Sequence, residues 1–222
     1  MNTQRYDIYA LIHKGLRSCL TDTLIAMGRV DLHSTAELDA ALEQVKDLLA
    51  ICQGHLEHED TFIHQAMEAC EPGVAADMYH HHKQHEAMIS ELQSLVEKLA
   101  QCPVQERAQV AATLYRRLAI FVADNLAHMH EEETANNAIL WRNYSDAEIQ
   151  EIEHRLVQSI TPEENALVMR WMLPAMNHQE REGFLNNMRK AAPPPVFEGV
   201  MHIARLNLPA VEWNKLEMAL AG

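Results

Sequence analysis

His55-Leu56-Glu57-His58-Glu59 is matched 73 residues later by His128-Met129-His130-Glu131-Glu132, so a His-x-x-x-Glu motif occurs twice. A third correspondence extends the repeat, because His13 and His85 stand 72 residues apart. The order is therefore His, His-x-x-x-Glu, His, His-x-x-x-Glu, as if one helical hairpin had been duplicated. Residues four apart share one face of an α-helix, so each motif aims an imidazole and a carboxylate in one direction. Neutral imidazole with anionic carboxylate is a donor set that suits iron and its neighbours.

Four long helices can be read around these motifs. The first runs from Gln4 to Met27, with Tyr6, Tyr9, His13, Leu16, Leu20 and Leu24 on one stripe. The second opens on a capping box, Ser34-x-x-Glu37. Its inward stripe is Leu42, Val45, Leu49, Cys52, His55, Glu59 and Phe62, and Glu71-Pro72-Gly73 ends it. The third, Val74 to Ala100, presents Met78, His81, His85, Ile89, Leu92 and Val96. The fourth starts at Pro103 and continues to Trp141, with Leu114, Leu118, Phe121, Asn125, His128, Glu132 and Ala135 in line.

Height along the helices supports the same arrangement. Glu59 and His85 each lie 13 residues from Pro72, which places both at roughly 20 Å from that turn at 1.5 Å per residue. His13 to His55 spans 42 residues and His85 to His128 spans 43. All four helices can thus meet at one level in antiparallel order. The expected fold is all-α, an up-and-down four-helix bundle over residues 1–144.

From residue 145 to 222 the expectation is a helical C-terminal extension without a defensible ligand set. Ser145-x-x-Glu148 and Thr161-Pro162-x-Glu164 are helix starts there, and Pro174 should kink or split the stretch reaching Lys190. After Pro193-Pro194-Pro195, short helices are expected at 197–205 and 209–220. Only 7 Gly and 8 Pro occur, which disfavours a turn-rich β architecture. The net charge of −14 argues against nucleic acid or an anionic membrane as partner. Cys19, Cys52, Cys70 and Cys102 form no C-x-x-C pair, so reduced thiols and a cytoplasmic location are expected. The first residues carry no apolar signal region, and no apolar run is long enough to span a bilayer. The oligomeric state stays open, a homodimer included.

Two carboxylates facing each other across a core are costly as a bare pair, and cations between them remove that cost. A dinuclear centre is therefore expected, with Glu59 and Glu132 bridging, His13 and His55 from the first hairpin, and His85 and His128 from the second. Residues 5–140 resemble the hemerythrin-like, HHE cation-binding domains. The carrying segments are Ile12-His13-Lys14, His55 to Phe62, Gln84-His85-Glu86 and His128 to Glu132. This resemblance implies two iron ions, oxo- or hydroxo-bridged, and a small diatomic ligand or partner such as dioxygen, nitric oxide or peroxide.

His81, four residues before His85, resembles the additional ligand of oxygen-carrying hemerythrins. His82, three before, competes with it, His80 should point away, and the periodicity favours His81. Two six-coordinate irons need about twelve positions. Five imidazoles, two bidentate carboxylates and a bridging oxygen fill about eleven of them, leaving one vacancy for a ligand. Without His81 each iron has an opening, as in the hemerythrin-like proteins linked to nitric oxide or iron–sulfur repair. Oxygen carriers space the last His and carboxylate five apart, which would select Glu133; helical geometry favours Glu132.

The remaining histidines read more simply. His58 and His130 are expected near the site or on the surface, and His64, His33, His154, His178 and His202 as solvated or capping groups. Glu151-x-x-His154 lacks the second copy and partner Glu residues of a ferritin-like site. Tyr9, one turn before His13, packs or lines the pocket. The function expected is a non-haem di-iron protein that binds dioxygen or nitric oxide for sensing, storage or stress protection. The alternative is a di-iron enzyme acting on peroxide or nitric oxide, or an iron donor in iron–sulfur cluster repair. No output domain is recognisable after Tyr144, and no N-terminal C-x-x-C segment of the kind associated with cluster repair is present.

Overall fold

Residues 5–221, which the computed structural model describes, contain eleven α-helices, two π-helical turns and no strand. In chain order the first group is α1 (Ala10–Arg29), α2 (Thr35–His58), a π turn (Glu59–Ile63), α3 (His64–Cys70), α4 (Ala76–Gln101) and α5 (Val104–Glu131). A second π turn (Glu132–Asn136) and α6 (Asn137–Asn143) follow. The chain then forms α7 (Asp146–Ser159), α8 (Pro162–Ala175), α9 (His178–Ala191), α10 (Pro194–Asn207) and α11 (Ala210–Ala221). No helix among the described residues is long and apolar enough to cross a membrane.

The chain clusters into two compact units, Met1–Ala10 with Cys19–Ser159, and Leu11–Ser18 with Ile160–Gly222. In the first, α4 packs against both α2 and α5, and one part of its core joins Tyr9, Ile63, Met67, Leu140, Ile149 and Ile152. Helix α7 belongs to this unit through Ile149 and Ile152, both fully buried or nearly so. In the second, α8–α11 enclose Leu173, Leu185, Val200, Ala204 and Leu216. The buried Arg181 donates to the carbonyls of Leu173 and Met176, at 2.8 Å each, and so satisfies groups at the end of α8. The break comes after Pro174 because Asn177 and Glu180 form a full capping box that starts α9.

Helix α1 begins later than the apolar stripe predicts. Gln4 lies outside the described residues, and residues 5–9 are not helical. Their polar groups are engaged elsewhere: Arg5 donates to the carbonyls of Trp141 and Tyr144, at 2.7 Å each, and Trp141 Nε1 donates to the Tyr6 carbonyl at 2.7 Å. Asp7 accepts from the Tyr9 backbone N–H at 3.0 Å and from Asn137 Nδ2 at 2.8 Å. The Ser34 cap forms as expected, accepting from the Glu37 N–H at 3.3 Å, and Gly73 turns the chain with φ at +87°, a conformation open to glycine.

The expected second and fourth helices are each interrupted by one wide turn that starts at the motif glutamate. There the backbone ladder runs from His64 N–H to the Glu59 carbonyl and from Asn137 N–H to the Glu132 carbonyl, five residues back. A hydroxyl supports each wide turn. Thr61 Oγ1 donates to the Glu57 carbonyl at 2.6 Å, and Thr134 Oγ1 to the His130 carbonyl at 2.7 Å. Both threonines and both carbonyls obey the 73-residue offset. The extra residue rotates everything that follows, so the inward positions are Ile63 and Asn136, while Ala135 is exposed and Phe62 only half-buried. It also carries His64, expected in solvent, into full burial.

Replacing Thr61 and Thr134 together by valine keeps their shape and removes both hydroxyl donors. The double variant is expected to lose about 1–2 kcal/mol of stability, since a net hydrogen bond contributes about 0.5–1.5 kcal/mol. Denaturant unfolding checks this, and an unchanged midpoint would show that the wide turns hold without the hydroxyls.

Candidate metal centre

Each motif closes on itself in the way helical spacing requires. His55 Nε2 lies 3.3 Å from Glu59 Oε1, and His128 Nε2 lies 3.2 Å from Glu132 Oε1. The two glutamates are 1% and 0% exposed, and the two ring side chains 13% and 5%. His82 enters between the motifs: its Nε2 is 3.0 Å from His128 Nε2, 3.6 Å from Glu59 Oε2 and 3.7 Å from Glu132 Oε1. Within the first unit two donor sets emerge, each with ligand atoms within 4.8 Å of one another: Glu59, His82, His128 and Glu132; and Asp60, His64 and His82. His82 belongs to both.

Helical counting favoured His81 on the inward face of α4, and the structure turns His82 inward instead. His82 is 1% exposed, whereas His81 is 37% exposed and faces Glu131, with Nδ1 to Oε2 at 3.5 Å. The physical reason is a partner that periodicity does not contain. Asp60, in the first π turn, accepts from His82 Nδ1 at 2.7 Å and from His64 Nδ1 at 2.9 Å. His85 is buried with its ring edge-on to His128, centroids 4.9 Å apart, yet it belongs to neither donor set as the side chains lie. His80 points away, taking a hydrogen bond with Gln84, and Glu133 is not among the donors.

A family model described as the hemerythrin HHE cation binding domain matches residues 5–140. The chain belongs to this family. No curated protein matches it, and no solved structure does. In this HHE domain, then, the family's cation-binding character and the clustered His and Glu side chains fall on the same stretch of chain. Iron is the metal that the family implies.

The electrostatics of the HHE domain fit a cation. Burial, and then the facing charge of Glu132, push the Glu59 carboxyl well above the ordinary carboxylate range. Burial, with help from His128 and His82, pushes His85 down to about 4, so it is a neutral imidazole ready to donate a lone pair. Burial also opposes charge on His82, but the hydrogen bond with Asp60 and the nearby carboxylate of Glu132 outweigh it and raise the ring to about 9. Without a cation, a proton on His82 is the positive charge between two carboxylates, and a metal ion there displaces it. The Nδ1 atoms of His85 and His128 are buried and have no hydrogen-bond partner, a costly state that suits groups intended for ligation or for reorientation on binding.

Several residues around the candidate donors belong to no His-x-x-x-Glu motif. Asp60 holds His82 by Nδ1 and thereby turns Nε2 toward the carboxylates, the outer contact that commonly orients a metal-ligating imidazole. Asn136 donates to the Tyr9 hydroxyl at 3.3 Å, and Tyr9 is fully buried. Burial, then the charges of Glu132 and Glu59, raise the Tyr9 hydroxyl well above its usual range, so it holds its proton beside them. The available signal was the repeat itself, which continues past each glutamate as Asp60-Thr61 and Glu133-Thr134.

Asp60→Asn is expected to leave the domain folded and to weaken metal binding about 10–100-fold, the usual effect of losing such an outer contact. Competition with a chelator of known affinity measures it. Unchanged affinity would mean that Asp60 does not orient His82.

Proposed function

We propose that this HHE domain holds a non-haem di-iron centre that binds a small diatomic ligand, dioxygen or nitric oxide, for sensing, storage or stress protection. The observation that carries this reading is that Glu59 and Glu132, each beside a histidine four residues before it, are gathered with His82 in one buried cluster. Shared carboxylates between separate imidazole groups are what a bridged pair of ions requires. The proposed ligands are His13 and His55 on one side, His82 and His128 on the other, and Glu59 with Glu132 between them. His85, buried beside His128, is the proposed fifth imidazole, drawn in when the ions bind. The proposed framework is an up-and-down four-helix bundle supplied by α1, α2, α4 and α5, with the chain from residue 145 onward as an extension.

When bound, the two ions supply reducing equivalents and an open coordination position for a diatomic ligand. The residues of the chain do the rest. Glu59, Glu132 and the imidazoles would hold the ions, and Asp60, bonded to His82 Nδ1, leaves His82 Nε2 turned toward the carboxylates. Tyr9 keeps its hydroxyl proton at the edge of the carboxylate pair, held there by Asn136. Burial of both glutamates excludes bulk water from this region, which strengthens every charge interaction within it.

Anaerobic loading with ferrous iron should give about two irons per chain, as in other carboxylate-bridged helical bundles. Exposure to dioxygen or nitric oxide should then change the optical spectrum reversibly. Steady consumption of peroxide or nitric oxide would favour an enzyme over a binding protein. Glu59→Gln and Glu132→Gln should each bring the iron content below about one per chain, since each removes a shared ligand. A single zinc per chain, or full iron retention in both variants, would overturn the di-iron reading.

A further inference from the structure

The donors at the centre are enclosed: Glu59, His82 and Glu132 are at most 1% exposed. An ion that reaches them needs a route through the domain, and one face provides it. A cavity of about 170 Å³ lies between α4 and α5, lined among others by His81, Gln84, His85, Asp124, His128 and Glu131. At its mouth His81 and Glu131 sit together, 3.5 Å apart and 37% and 49% exposed. At its floor are His85 and His128, each 5% exposed and each with a buried Nδ1 that has no hydrogen-bond partner. His81 and His128 face one another edge-on with ring centroids 5.9 Å apart.

We propose that His81 and Glu131 form a capture site for ferrous iron, and that this cavity is the path by which the ion enters the centre. The inference rests on the metal-centre reading above. An imidazole and a carboxylate in reach of solvent make the same donor pair as the resident site, so an arriving ion can exchange part of its water shell for them. Asp124 adds a second acidic group to the mouth, and the negative net charge of the chain favours the approach of a cation over an anion. The cavity has room for several water molecules around an ion in transit. The next donors inward are His85 and His128, and His128 Nε2 lies 3.2 Å from Glu132 Oε1. His81 is thus a transit ligand: it takes the ion from water and passes it on without remaining bound.

The test is the rate of ferrous iron uptake by the metal-free full-length protein under anaerobic conditions, followed by rapid mixing and ended by metal analysis. The His81→Ala, Glu131→Gln double variant should load roughly tenfold more slowly than the unaltered protein, the lower end of what a focusing charged cleft contributes to association, and reach the same final iron content. Glu131→Lys should be slower still, because it places a positive charge at the mouth. His80→Ala, an exposed histidine of the same helix that faces away, should load at the normal rate. Equal rates in all proteins would overturn the capture site, and so would equal slowing by His80→Ala. A lower final iron content in the double variant would make His81 and Glu131 resident ligands, which also overturns the transit role. Failure of the unaltered protein to take up iron at all would instead sink the metal-centre reading, and this proposal with it.

Discussion

Glu59 and Glu132 face each other where water scarcely reaches, and each carries a histidine four residues before it. Like charges at such a place repel, and burial penalises both, so Glu59 is driven toward its protonated form. Every other feature around them answers that repulsion. His82 brings its Nε2 between them, Asp60 anchors His82 from behind, and burial, with the same two charges, keeps Tyr9 from ionising. A core of this kind is less stable than an apolar one of the same size unless cations occupy it.

The wide turns solve a problem of aim. In a continuous α-helix, the inward stripe after Glu59 would pass through Phe62, and after Glu132 through Ala135. One additional residue in the turn keeps each glutamate in place and changes what stands behind it. Behind Glu59 comes His64, fully buried and bonded to Asp60; behind Glu132 come Asn136 and Asn137, bonded to Tyr9 and Asp7. Wide turns of this type occur often at functional sites. Here they convert two outward helix faces into the polar layer that backs the donors.

The spacing of His and Glu nominates the candidate donors and indicates an all-helical chain. Those readings depend on local periodicity, which the sequence carries directly. The choice between His81 and His82 did not follow, because their angular offsets from His85 are similar and Asp60, 22 residues away, decides it. The late start of α1 escaped for a related reason: Arg5 and Asp7 bond to residues more than a hundred positions distant. His64 was misplaced because a single wide turn shifts the phase of all residues after it. Two of the signals were present but faint, a threonine two residues after each motif glutamate.

The duplication suggested by the motifs has a corollary in the wide turns. Both occupy the same five positions of the 73-residue repeat, and both are supported by a threonine hydroxyl at the same point. The two copies differ in the residue behind it, a histidine (His64) in one and an asparagine (Asn137) in the other. The widened turn is thus common to both halves, and the group that backs each glutamate is particular to its own half.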